Sequence, residues 1–535
     1  MINKTLIFFK RLYQLPQYLS KIEKGIVLFL SGIILITTAL YGFEKFFVKK
    51  IPTPAFGGTF IEGGVGEIRT LIPILKQNET EKDISKLIFS SLVKENEKRE
   101  MTGDLAEKWE MSPDGKRYTF YLREAKWQDG VKLTADDVLF TLSLILNPET
   151  KSPFIEAFKE VEIKKIDDKT VSFDLKTPFA PFLSSLTVPV LPKHLLSQVS
   201  PEKLANSPFA KKPIGSGPFK LTKITQQREE TSVTLKANRD YYLKKPYLNK
   251  FIFKIYKDKE EVLRAFSKKQ ILGFLDGGSE QSGGYKIILP QYKAVFFNLD
   301  SPNLDKTTRK ALVLATDKQE ILDNIKGVKQ IDSPILPGFL GYKEGTKSTF
   351  DLEKAKSILV KSKITNKTLT LLTSQSEENQ KVTEILKKQW EMLGLQINLV
   401  VLSNSLFEKE VASRNYDLLL TGINQKADPD PYPFWHSSQA SETGLNLSSF
   451  KNKEVDRLLV EARQSADQNF RREKYERFID IIQNEAPAIF LYQPIYFYRV
   501  SGIVKGVGKT EGVVKSDRFW NIENWYINTK MQISK

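Results

Sequence analysis

A chain of 535 residues with 41% hydrophobic content can bury more than one core, which excludes a disordered polymer. It contains no cysteine, so disulfides, thiolate catalysis, cysteine-ligated zinc and a lipid-modified cysteine anchor are excluded. The net charge of +17 favours anionic surfaces, yet the lysines alternate with acids in stretches such as 351–361 (DLEKAKSILVK), as on a solvated helix face. No basic stripe interleaved with aromatics marks a nucleic-acid partner.

Residues 25–43 (GIVLFLSGIILITTALYGF) carry no charge and match the ~20 helical residues that cross a bilayer core. Lys4, Lys10, Arg11, Lys21 and Lys24 precede them against one acid, Glu23, while Glu44 offsets part of Lys45, Lys49 and Lys50 behind. This bias places the N-terminus in the cytoplasm and the body outside. A cleaved signal peptide is the alternative, with Thr37 and Ala39 as small residues before the cut. The basic stretch is long for one, and no A-x-A pattern follows. The expected order is a cytoplasmic segment at 1–24, a transmembrane helix at 25–43 and a linker at 44–56.

Past the linker, short alternating segments such as 118–122 (YTFYL) and 171–175 (VSFDL) predict strands of an α+β region. Asp136 and Asp137 are adjacent acids at a predicted helix start, where they complement the helix dipole rather than form an acid–base pair. Ser216 lies between two glycines in a turn. No G-x-S-x-G, HExxH, Walker A or GxGxxG motif is present, so no enzyme is expected.

Residues 259–269 predict a helix returning through a strand at 271–275. Farther on, 368–373 (TLTLLT), 396–402 (QINLVVL) and 416–421 (YDLLLT) read as strands. Val382, Ile385, Leu386, Trp390 and Leu393 mark a helix stopped by Gly394, and 406–413 a second, shorter helix. Strands joined by helices predict a mainly parallel sheet, which binds ligands outside its carboxyl ends. The loop after the third strand, 422–434, is therefore a candidate binding loop. Tyr475, Phe478, Ile479 and Ile482 mark an amphipathic helix ending before Pro487.

Several blocks in fixed order resemble the family 5 extracellular solute-binding proteins, the peptide- and nickel-binding proteins that serve ATP-driven importers. They are 57–60 (GGTF), 69–73 (RTLIP), 88–93 (IFSSLV), 103–109 (GDLAEKW), 112–122 (SPDGKRYTFYL) and 123–140 (REAKWQDGVKLTADDVLF). Then come 191–195 (LPKHL), 214–221 (IGSGPFKL), 238–248 (NRDYYLKKPYL) and a block at 297–321 that includes TRKALVLATDKQEI.

The resemblance implies an α/β, two-lobed periplasmic-binding-protein-like clamp of type II with an extra α+β subdomain. Lobe I would comprise 57–90, 212–295 and 489–530, the extra subdomain 91–211, and lobe II 296–488. Strands near 293–297 and 488–492 would form the hinge. The implied function is capture of peptides and delivery to the permease of an ABC importer. A sensor, or a binder of a nickel complex, sugar or wall fragment, is the alternative.

The loop 425–435 (QKADPDPYPFW) resembles the second-lobe binding loop of that family. Asp428 and Asp430 either receive a cationic ligand group or make Asx turns ahead of Pro429 and Pro431. Peptide binders of the family usually pair the ligand α-amine with an aspartate a few residues before the DP dipeptide. Here that place holds Gln425, beside Asn424 and Lys426, and a neutral amide does not neutralise an amine. A blocked or acidic peptide, or another ligand, is therefore also compatible.

Tyr432, Phe434 and Trp435 either floor the cleft or pack in a core. Asn298 ends an apolar run (AVFFN) resembling a hinge-proximal strand, with its amide toward the ligand, and Tyr285 follows Gly283 and Gly284 as a further candidate. Trp127 is assigned to packing. His194 and His436 are separate lone imidazoles, too few for a transition-metal site, so neither metal nor cofactor is expected.

Overall fold

The computed structural model describes residues 19–47, 50–97, 100–227, 230–277, 284–343, 349–361, 368–426, 428–508 and 514–533. Most of the expected cytoplasmic segment, Gly283 and Ala427 lie outside the described residues. Two compact units are present, Met1–Phe56 with Tyr526–Lys535, and Gly57–Trp525.

In the first unit, helix Lys21–Phe47 contains a stretch, Lys21–Ala39, long and apolar enough to cross a membrane. Its apolar side chains are exposed, Leu28 at 73% and Phe29 at 70%. The hydroxyls of Thr37 and Thr38 donate to the carbonyls of Ile33 and Ile34 at 2.8 and 2.6 Å, so these two side chains are satisfied within the helix. The residues read as a linker are structured. Lys50–Pro54 pairs antiparallel with Thr529–Ile533, so 526–530 group here rather than with the body.

The second unit is built on a 12-stranded mixed sheet and a separate four-stranded one. Its chain order begins with β1 (Thr59–Val65) and α1 (Glu79–Ile88). Next come β2 (Ala106–Met111), β3 (Arg117–Leu122), α2 (Ala135–Leu146), β4 (Val161–Asp167) and β5 (Thr170–Leu175). Strands β2, β3, β5 and β4, in that order, form the antiparallel four-stranded sheet, whose core gathers Phe120, Phe173 and Phe182. Asp137 serves as a cap here: it accepts from the backbone N–H of Thr134 at 2.9 Å, while Asp136 pairs with Lys165 and Lys193.

The large sheet continues with β6 (Phe219–Gln226), β7 (Thr231–Ala237), β8 (Lys250–Tyr256), α3 (Lys259–Ser267), β9 (Gly273–Gly277), β10 (Tyr285–Ile288) and β11 (Gln291–Phe297). The second half adds α4 (Lys306–Leu314), β12 (Thr368–Ser374), α5 (Glu377–Glu391), β13 (Gln396–Leu402), α6 (Asn404–Ala412) and β14 (Leu418–Asn424). Last come α7 (Lys453–Gln464), α8 (Gln468–Glu485) and the long strand β15 (Ala488–Val500).

Strands β8, β1 and β9 are parallel in one half, and β13, β12 and β14 in the other. The predicted strand–helix alternation is present as β12–α5–β13–α6–β14, and Gly394 follows α5 at φ +79, where glycine has no steric penalty. Side chains alternate across β11. Tyr292, Ala294 and Phe296 enter a core with α7 and α8, while Val295 and Phe297 enter another with α4 and α5. Both faces are covered, as a parallel sheet requires.

Strand β15 belongs to both halves. Its 495–500 portion pairs with β9 and β10, and its 488–492 portion with β11. The segments expected to bend, 293–297 and 488–492, are hydrogen-bonded to each other inside one half. The chain crosses between halves at 289–290 and 493–494, where Gln493 Nε2 donates to the Leu289 carbonyl at 2.8 Å.

Ser216 is fully buried. A Cβ at Gly215 would lie 2.0 Å from the Ile88 carbonyl oxygen, and one at Gly217 2.7 Å, so close backbone approach explains this glycine pair.

Candidate functional site

The carboxyl ends of β12, β13 and β14 lie at one end of their half-sheet, the edge at which open α/β sheets hold ligands. From there β14 runs into the Pro-rich loop. Gln425 is buried at 7% exposure: its N–H donates to the Pro290 carbonyl at 2.6 Å and its Nε2 to the Pro334 carbonyl at 2.5 Å. The loop is thus tied to the crossing segment. Gln425 Oε1 is buried with no hydrogen-bond partner among the described residues.

Both acids of the loop are taken up within their own half. Arg471, 4% exposed, donates through both terminal nitrogens to Asp428, one bond measuring 2.8 Å. Asp430 accepts from Arg463 at 2.9 Å, and burial pushes its carboxyl up despite the pull of Arg463 and Lys426. Tyr475 donates to the Pro429 carbonyl at 2.9 Å. Helices α7 and α8 therefore hold the loop rigid, and each carboxylate is already matched by a guanidinium.

The loop also meets the subdomain that carries the four-stranded sheet. Arg463 lies over the Phe179 ring at 4.6 Å and the Tyr432 ring at 4.3 Å, and its carbonyl accepts from the Ala180 N–H at 2.9 Å. Lys426 Nζ donates to Ser185 Oγ at 3.3 Å. On another flank, Lys76 pairs with Glu408 of α6 at 3.4 Å.

Two lysines stand at this end of the sheet. Lys293 donates to Asn379 Oδ1 at 2.7 Å, and burial lowers its ammonium pKa while Glu378 pulls the other way. Glu378 itself accepts from Tyr492 at 2.7 Å. Lys426 is solvent-exposed, yet the protein around it lowers its pKa by desolvation against the attraction of Asp430.

The remaining expected residues are dispersed. Trp435 is 1% exposed and packs with Phe296, Phe450, Phe478 and Phe490 in the core under α7 and α8; Phe434 is half-buried against the same core. Asn298 is buried, donating to the Arg414 and Tyr416 carbonyls at 3.2 and 3.0 Å, which organises a turn. Tyr285 is half-buried in β10 opposite Tyr498. Trp127 is in a core. The structure thus brings Gln425, Asp428 and Asp430 together, with Trp435 in the core beneath them and Asn298 bonded to the Arg414 and Tyr416 carbonyls. Phe179, Arg463, Arg471 and Lys293 were not singled out from the sequence, because they lie far from the loop in the chain.

His194 hydrogen-bonds Asp129 at 2.8 Å and His436 stacks on Tyr432 at 4.1 Å. Among the described residues no group of three or more His, Asp or Glu is placed to hold a metal.

A two-lobed α/β clamp whose halves share two crossing segments, with a loop at the strand ends between them, defines a solute-binding protein. Residues 100–444 match the family described as bacterial extracellular solute-binding proteins, family 5 Middle, and the chain belongs to it. It is similar to the oligopeptide-binding protein AppA of Bacillus subtilis (strain 168), 27% identical over 514 residues, covering 90% of this chain and 93% of that one. It is also similar to the dipeptide-binding protein of Escherichia coli (strain K12), 28% identical over 454 residues, covering 76% and 83%. The solved structure of AppA from Bacillus subtilis in complex with a nonapeptide matches with a TM-score of 0.74 at 26% identity, covering 90% of this chain and all of that one.

Proposed function

We propose that this chain is a membrane-anchored, extracytoplasmic binding protein that closes two lobes over a peptide and delivers it to the permease of an ABC importer. The observation that carries the reading is the pair of crossings at 289–290 and 493–494, which join two otherwise separately hydrogen-bonded half-sheets. Bending there opens and closes the cleft by flexing the short Val328–Gln330 ladder that pairs with 492–494, while the longer strand pairings of each half stay intact. Relatives of similar length named as oligopeptide- and dipeptide-binding support a peptide as the ligand.

In this reading lobe I comprises 57–90, 212–288 and 495–525, the extra subdomain 91–211, and lobe II 291–492, with the crossings between them. The exposed apolar helix Lys21–Phe47 anchors the chain, with the basic residues before it in the cytoplasm. Gln425 and the loop backbone supply hydrogen bonds to the ligand main chain, in the manner of an added strand.

Mass spectrometry of small molecules retained by the full chain after purification in mild detergent tests the proposal. Retained peptides are expected. Recovery of a sugar or a nickel complex without peptide would sink it.

A further inference from the structure

The loop at the end of β14 carries one cation that its own neighbourhood does not neutralise. Asp428 and Asp430 are matched by Arg471 and Arg463, leaving Lys426 with Ser185 Oγ as its hydrogen-bond partner. A second cation, Lys293, sits on the neighbouring strand with the neutral Asn379. Among the described residues neither lysine has a carboxylate within ion-pair distance. Glu378, which accepts from Tyr492, and Asp430, paired with Arg463, pull on Lys293 and Lys426 from beyond that distance.

Lys293 lies on β11 opposite Gly422 of β14, and Lys426 stands just past the end of β14. Lys426 follows Gly422 by four residues, a separation of roughly 13 Å along extended chain. Lys293 is half-buried, so an anion arriving at its ammonium group is bound more strongly than on open surface, while Lys426 stays open to solvent.

We infer that the cleft selects peptides by their carboxylates, Lys426 and Lys293 each receiving an acidic side chain or terminal carboxylate, and that it does not read a free α-amine through Asp428 or Asp430. This rests on the peptide-binding reading above. Specificity then lies in cations of lobe II, and the ligand amino end is free to be blocked.

Calorimetric titration of the full chain in detergent tests this with four nonapeptides of one neutral sequence. Two carry glutamates spaced four residues apart and two carry glutamines there, each pair with a free and an acetylated amino end. The glutamate peptides are expected to bind about tenfold tighter, the worth of one charge-assisted hydrogen bond, and acetylation to change Kd by less than about threefold.

Lys426→Gln combined with Lys293→Gln should bring the glutamate preference below about threefold, and Lys426→Arg should keep it. Circular dichroism melts of each variant confirm a folded chain. Equal binding of glutamate and glutamine peptides, or about a tenfold loss on acetylation, overturns the inference while leaving peptide binding intact. If none of the four peptides binds, the peptide reading itself falls, and this inference with it.

Discussion

Arg471 grips Asp428 with both terminal guanidinium nitrogens, across 43 residues of sequence, so this carboxylate already has a cationic partner within its own half. Removing the arginine leaves a half-buried carboxylate without its partner. Arg471→Leu is expected to lower unfolding stability by about 3 kcal/mol, in the range for breaking a buried pair. The paired change Arg471→Leu with Asp428→Leu should recover much of that loss. Denaturant melts of the single and double variants measure the difference.

Arg463, held between Phe179 and Tyr432, ties the region carrying the four-stranded sheet to the loop after β14. Two stacked cation–aromatic contacts and one ion pair are lost in Arg463→Ala. Because the chain contains no cysteine, Lys176→Cys and Lys451→Cys provide unique spin-label sites on the two bodies. The label separation in unliganded protein is expected to lengthen and broaden in the Arg463→Ala background. An unchanged distribution would show that the clasp does not hold the lobes.

Glu62 and Asp83 share the buried Arg518, with Tyr498 donating to Glu62 at 2.7 Å. Two carboxylates and one guanidinium leave an excess negative charge in a core, and burial pushes Glu62 up to about 7. The folded value lies above the unfolded one. The stabilisation from protonated Glu62 is therefore full below about 4.5 and is lost as pH rises through about 7. Thermal midpoints measured from pH 4.5 to pH 7.5 should fall more steeply in the wild type than in Glu62→Gln, which cannot ionise. Parallel slopes would contradict this.

Trp435 touches Phe296, Phe450, Phe478 and Phe490, so its truncation opens a large cavity beneath the loop. Trp435→Ala is expected to cost about 3–5 kcal/mol in a denaturant melt. A loss of ligand affinity without that destabilisation would instead place the ring in the cleft.

The second-lobe elements were legible from the sequence because their signals are local. The strand at 396–402 falls on β13, and the Val382–Leu386–Trp390 spacing falls on the buried face of α5. The loop's charge state was not legible. Asp428 and Asp430 stand beside prolines in a pattern that fits ligand binding or turn chemistry, and the arginines that decide the matter arrive from α7 and α8, 33 and 43 residues away. Asn298 was similarly ambiguous: an amide ending an apolar strand suits a ligand or a turn, and only its contacts to Arg414 and Tyr416 distinguish them. Which half of the shared strand pairs with which sheet was not legible, because periodicity marks where strands are and not their partners.

Closure of the body on a peptide is tested by thermal unfolding of the full chain against peptides of varied length, charge and amino-end blocking. A bound peptide at a hundredfold excess over Kd should stabilise the folded chain by about 2.7 kcal/mol, seen as a concentration-dependent rise in midpoint. No rise with any peptide, alongside a rise with sugars or a chelated metal, would contradict the account.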